Sequence, residues 1–106
     1  MPLLLIKDGY TLDHTIPAKG RIPALAFKYR PALAEEIEQW RIDAANARTG
    51  KEKAKVEASF IASHVVSWDD AENKPEVAII TQLPPYTRSE LFSAIVGGLT
   101  DDDEKK

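Results

Sequence analysis

Cysteine is absent from this chain, methionine occurs once and histidine twice. Without thiols there is no disulfide, no thiolate nucleophile and no zinc site built on cysteine. The two histidines, His14 and His64, fall far apart on different predicted elements. Apolar runs are short. The N-terminal run Leu3-Leu4-Leu5-Ile6 stops at Lys7 and Asp8. It is too short and too poor in basic residues for a secretory signal, and far below the roughly 20 residues of a membrane span. The expected location is therefore the cytoplasm. Aromatic residues make up only 8% and interleave with no basic stripe, which argues against nucleic acid. Gly20, Gly97 and Gly98 are scattered and form no phosphate-binding loop.

What remains is an ordinary globular composition. With 106 residues, 43% hydrophobic and 29% charged, the chain suits one domain with its own core. The predicted class is α+β, a single domain over 1–100 followed by a charged tail over 101–106. The net charge of −3 is uneven. Basic residues prevail in 1–31 and acidic ones in 69–106, a gradient compatible with head-to-tail self-association into a homo-oligomer or with two solvated faces.

Strand signals come first. Leu3–Ile6, an Asp8-Gly9 turn and the alternation of Tyr10, Leu12 and His14 suggest a hairpin arm and a strand ending at Ile16-Pro17. Leu25, Phe27 and Tyr29 alternate with Lys28 and Arg30, which predicts a second strand antiparallel to the first. Pro31 closes it. Ala32–Arg48 reads as a helix with Leu33, Ile37, Trp40 and Ala44 on one stripe and Gly50 as its left-handed cap. Lys51–Val66 reads as a second, antiparallel helix capped by Thr49 and Glu52, with Val56, Phe60, Ile61, His64, Val65 and Trp68 inward. Asp69–Pro75 is a polar turn. Glu76–Thr81, rich in Val and Ile, reads as a strand. A last helix carries Leu91, Ile95 and Leu99 in one row, with Phe92 and Val96 beside it, and ends at Gly97-Gly98.

No chemistry-bearing constellation emerges from these elements. Ser59, Ser63, Ser67, Ser89 and Ser93 have no evident partner and no nucleophile elbow. His64 reads as a histidine at the edge of the core. An enzyme reading would need His64 and a carboxylate to converge in a closed pocket. Asp69, Asp70, Glu72 and Asn73 lack the central glycine and terminal glutamate of a calcium loop. Pro84-Pro85-Tyr86 falls one residue short of a Pro-Pro-x-Tyr ligand. Tyr29 and Tyr86 are candidate interface aromatics, with packing as the alternative. No catalytic residue, cofactor or metal is expected. The candidate protein-binding surface is Tyr86, Leu91, Phe92, Ile95, Val96 and Leu99, because the last helix offers two apolar rows where a small core needs one.

The run Phe60-Ile61-Ala62-Ser63-His64-Val65-Val66-Ser67-Trp68-Asp69, the polar turn, Val77-Ala78-Ile79-Ile80-Thr81, Leu83-Pro84-Pro85 and Leu91-Phe92-Ser93-Ala94-Ile95 resemble small proteins of tailed-bacteriophage tail modules, in particular tail assembly chaperones. Phe27-Lys28-Tyr29-Arg30-Pro31-Ala32-Leu33 is similar to phage proteins in which a β-ribbon leads into helices. Glu76 departs from the small residue or proline that the pattern has before its strand. The resemblance implies a non-catalytic phage or prophage protein that binds the tape measure protein, or another tail protein, during virion tail assembly. The alternatives are a structural virion component, such as a head–tail connector or tail subunit, and a small regulatory protein-binding module.

Overall fold

Pro31 separates the first two strands, which pair with each other, from the first helix. The computed structural model describes residues 11–70 and 72–97. The arm predicted at Leu3–Ile6, its Asp8-Gly9 turn, Tyr10, Gly98, Leu99 and the 101–106 tail lie outside the described residues.

Strands β1 (Leu12–Ile16) and β2 (Leu25–Tyr29) pair antiparallel, with Leu12 opposite Tyr29 and Ile16 opposite Leu25. The alternation works as predicted. Ile16, Phe27 and Tyr29 are buried, while Asp13, Thr15 and Lys28 stay in water. In the connection Gly20 has φ 58°, a left-handed conformation that glycine takes without a Cβ clash. Lys19 and Ile22 exchange two backbone hydrogen bonds of 2.9 Å across it.

The third strand is not where periodicity placed it. It is β3 (Val65–Trp68), antiparallel to β2, and the sheet order is β1-β2-β3. The residues read as the last turn of a helix and its apolar stripe, Val65 to Trp68, instead extend the sheet. Two valines and a tryptophan suit a strand, and β2 offers them a free edge. The backbone joins smoothly: Arg30 N–H donates to the His64 carbonyl at 2.7 Å and Asp69 N–H to the Ala26 carbonyl at 3.0 Å. The register shifts between Lys28 and Tyr29, leaving Val66 without an opposite residue. That is a β-bulge, and Val66 is 55% exposed there.

Helix α1 (Ala34–Asn46) and helix α2 (Gly50–His64) form a hairpin. Glu36 lies against His64 and Trp40 against Phe60, so rising numbers on one helix meet falling numbers on the other. The pair is antiparallel. Gly50 does not cap α1. It is the first residue of α2 and has no positive φ. Thr49 caps the start of α2, as predicted: its hydroxyl accepts from Glu52 N–H at 3.1 Å, and the Glu52 carboxylate accepts from Arg48 N–H at 2.9 Å.

Glu76–Thr81, expected as a strand, contains the short helix α3 (Val77–Ile80). A four-residue apolar run carries no period of its own, so packing decides. Winding it brings Val77 and Ile80 to the same side, and Ile80 is fully buried. The Thr81 hydroxyl and the Gln82 amide both donate to the Ala78 carbonyl, at 3.0 and 2.9 Å, and close the turn. Helix α4 (Pro85–Gly97) follows. Its Leu91 and Ile95 are fully buried alongside Ile16, Tyr29, Ile61 and Ile80. Ala32 N–H donates to the Ile95 carbonyl at 3.0 Å, Arg88 reaches Glu57 of α2 at 3.6 Å, and the Tyr86 hydroxyl donates to the Pro17 carbonyl at 3.0 Å. The fold is α+β: a three-stranded antiparallel sheet with helices packed round a shared core.

Candidate functional site

α1 is the exception among the longer helices. Its apolar stripe came out of the sequence as a core stripe, yet none of its residues is buried. Leu33, Ile37, Trp40 and Ala44 are only half-covered, and Ile42 is 46% exposed. Beside it, α2 buries Ala58, Phe60, Ile61 and His64. Along the seam between the two helices runs an open groove of about 690 Å³. Trp40, Val56 and Phe60 supply its apolar surface, with Ala47 at one end and His64 at the other. Glu36, Gln39, Asp43 and Asn46 line it from α1, and Glu52, Lys55, Ser59 and Ser63 from α2.

The aromatic surface is held from behind by α4. Phe92 sits 4.7 Å from the Trp40 ring centroid and 5.4 Å from that of Phe60, both tilted contacts. Phe60 in turn lies 4.5 Å from the His64 ring. Such stacks fix ring orientation and add about 1 kcal/mol each beyond area burial.

A polar cluster closes the His64 end. Glu36 accepts two hydrogen bonds from the Arg30 guanidinium, at 3.2 and 3.1 Å, and one from Leu33 N–H at 2.9 Å. Its Oε1 lies 3.3 Å from His64 Nε2. The carboxyl is held at about 2 rather than 4.5, first by Arg30, with Leu33 N–H and His64 assisting against partial burial. His64 Nδ1 lies 2.8 Å from the Phe60 carbonyl and 2.9 Å from Ser63 Oγ, and Ser63 Oγ itself lies 2.8 Å from the same carbonyl. A carbonyl oxygen can only accept, so the contact assigns the proton to Nδ1 and the Ser63 hydroxyl proton to Phe60. Ser63 therefore faces a protonated nitrogen rather than a lone pair.

A histidine, a carboxylate and a serine thus converge, a grouping that spacing along the chain did not reveal. Only the antiparallel hairpin brings Glu36 to His64. The groove they edge is open.

Tyr86 is half-buried with its hydroxyl committed to Pro17, and Lys19 Nζ stands 5.0 Å above its ring centroid. Leu91 and Ile95, expected on a partner-binding surface, are fully buried, and this is a correction. One row of α4 fills the core against α2 and β1, so it offers nothing to a partner. Phe92 and Val96 are half-buried against the same core, and Leu99 lies outside the described residues. Tyr29, the other candidate interface aromatic, is fully buried. Phe92 alone of the six contributes near the groove, as the backing of Trp40 and Phe60. The missed residues are Trp40, Val56 and Phe60. Their signal was present in the stripes of α1 and α2, which together carry more apolar surface than their own seam covers.

The acidic turn after β3 stabilises itself. Asp70 accepts from Glu72 N–H at 2.9 Å, from Asn73 N–H at 3.2 Å and from the Asn73 amide at 3.0 Å. These bonds, the Asn73 side chain foremost, lower the Asp70 carboxyl below its ordinary range. The Trp68 indole N–H donates to the Asn73 carbonyl. Among the described residues no three of His, Asp and Glu are grouped to hold a metal ion, and no helix is long and apolar enough to cross a membrane. No protein-family model, curated protein or solved structure matches this chain.

Proposed function

We propose that this chain is a non-catalytic assembly factor of the kind its likeness to tail assembly chaperones implies, and that it holds a protein partner along the α1–α2 groove. The observation that carries the reading is the state of α1, whose 13 residues include no buried one although three of them, Ile37, Trp40 and Ala44, continue an apolar stripe from Leu33. A helix gains most of its stability from covering such a stripe. A partner laid on the groove would cover Trp40 and Val56, which the free chain leaves half-covered. The hydrogen bonding of Ser63 and His64 favours binding over catalysis. The tape measure protein of a phage tail, which is long and aggregation-prone, is the partner that the resemblance implies.

A structural virion component is the second reading, and the uneven charge along the chain favours it. Co-expression with the neighbouring tail-module proteins, followed by gel filtration with light scattering, separates the two. The first reading predicts a small species alone and a stable complex with one long helical protein. A closed ring of many copies, formed without any partner, would contradict it. Val56→Glu tests the surface. It should cut complex formation at least tenfold, because a carboxylate is costly to bury at an apolar contact. Its thermal unfolding should remain cooperative, since Val56 is only half-covered in the free chain.

A further inference from the structure

The groove has a length, a floor and a charge pattern, and together they describe an occupant. From Glu36 to Ala47, α1 advances by about 16 Å at 1.5 Å per residue, close to three helical turns. Large apolar side chains one turn apart on a single helix face match that span, with anchors at i, i+4 and i+7. The charges at the two ends differ. Glu36 is already neutralised by Arg30. Among the described residues, Asp43 and Glu52, towards the Ala47 end, accept hydrogen bonds only from the Gln39 amide and Arg48 N–H. Lys55 is the one lysine or arginine among the described residues that line the groove, so carboxylates outnumber it there.

We propose that the groove takes about three turns of an amphipathic helix of a partner protein, with lysine or arginine beside its apolar row at the end that meets Asp43 and Glu52. This rests on the reading of the groove as the protein-binding face, and it specifies the partner's chemistry. The apolar row supplies the affinity. The cations set the orientation of the bound helix and speed its encounter with the groove.

Two fluorescently labelled peptides of about 14 residues test it, both alanine-rich with leucine at i, i+4 and i+7. One carries two lysines at one end beside that row, the other two glutamates. Polarisation at low salt should show the lysine peptide binding several-fold tighter, with the advantage shrinking as salt is added. Asp43→Lys should remove or reverse the preference, and Val56→Glu should abolish binding of both peptides. Equal affinities, or a tighter glutamate peptide, overturn the assigned chemistry. Binding that survives Val56→Glu shows that the peptide lies elsewhere and also overturns it. If neither peptide binds while Val56→Glu breaks the complex with the tail-module partner, the helix proposal falls and the groove reading stands. If Val56→Glu leaves that complex intact, the groove reading itself falls.

Discussion

Glu36 is where the sheet, the first helix and the second helix meet. Arg30 comes from the end of β2, Leu33 from the approach to α1 and His64 from the end of α2. Its carboxyl is lowered from 4.5 to about 2, so the folded state binds the proton less well than the unfolded chain does. The stabilisation is therefore complete above 4.5 and is lost as pH falls from there towards 2. The side chain is 29% exposed, and after allowing for solvent screening the effect is about 2 kcal/mol at neutral pH. Glu36→Gln should lose about that amount in urea unfolding at pH 7, and the gap to the unaltered chain should narrow steadily below pH 4.5. A gap independent of pH would mean that the carboxylate charge contributes nothing.

At the scale of elements, α4 supports the groove from behind. Phe92 shows this. A position facing outward would tolerate a charge, but this ring stacks on Trp40 and Phe60. Phe92→Asp should destabilise the fold by about 3 kcal/mol and broaden or abolish cooperative unfolding. A cooperative transition at an unchanged denaturant midpoint would show that the ring is dispensable to the core. The element boundaries show how far local pattern reaches. β1 and β2 were legible because Leu25, Phe27 and Tyr29 alternate with charged neighbours, and their pairing needs only a short connection. α1 and α2 were legible from stripes at helical spacing. The third strand and α3 were exchanged, for one physical reason. Val65–Trp68 and Val77–Ile80 are both four-residue apolar segments, too short to carry a period. The free edge of β2 claimed the first, and packing against α2 wound the second. No feature within either segment encodes those neighbours.

Across the whole molecule, the core takes up the inner rows of α2 and α4 and one face of the sheet, and it leaves α1 short of cover. The candidate surface was illegible in the sequence because every helix offered apolar residues, the last one in two rows, and composition does not say which of them the core leaves uncovered. Leu91 and Ile95 proved to be the inner row of α4. The apolar side chains left half-covered at the groove are Trp40 and Val56, beside the buried Phe60, on the hairpin between Pro31 and Trp68. The convergence of Glu36 with His64 was illegible for the same reason, since it exists only once the hairpin closes.

Local stability follows from this distribution. In the free chain α1 should open more readily than α2 or α4, because it has the least apolar burial to lose. Amide hydrogen exchange, residue by residue, on the free chain and on its complex with the proposed helical partner is the most direct test. The account predicts that 36–47 and 52–64 gain the most protection in the complex while α4 changes little. Protection gained on α4 or on the sheet, with α1 unchanged, would contradict it.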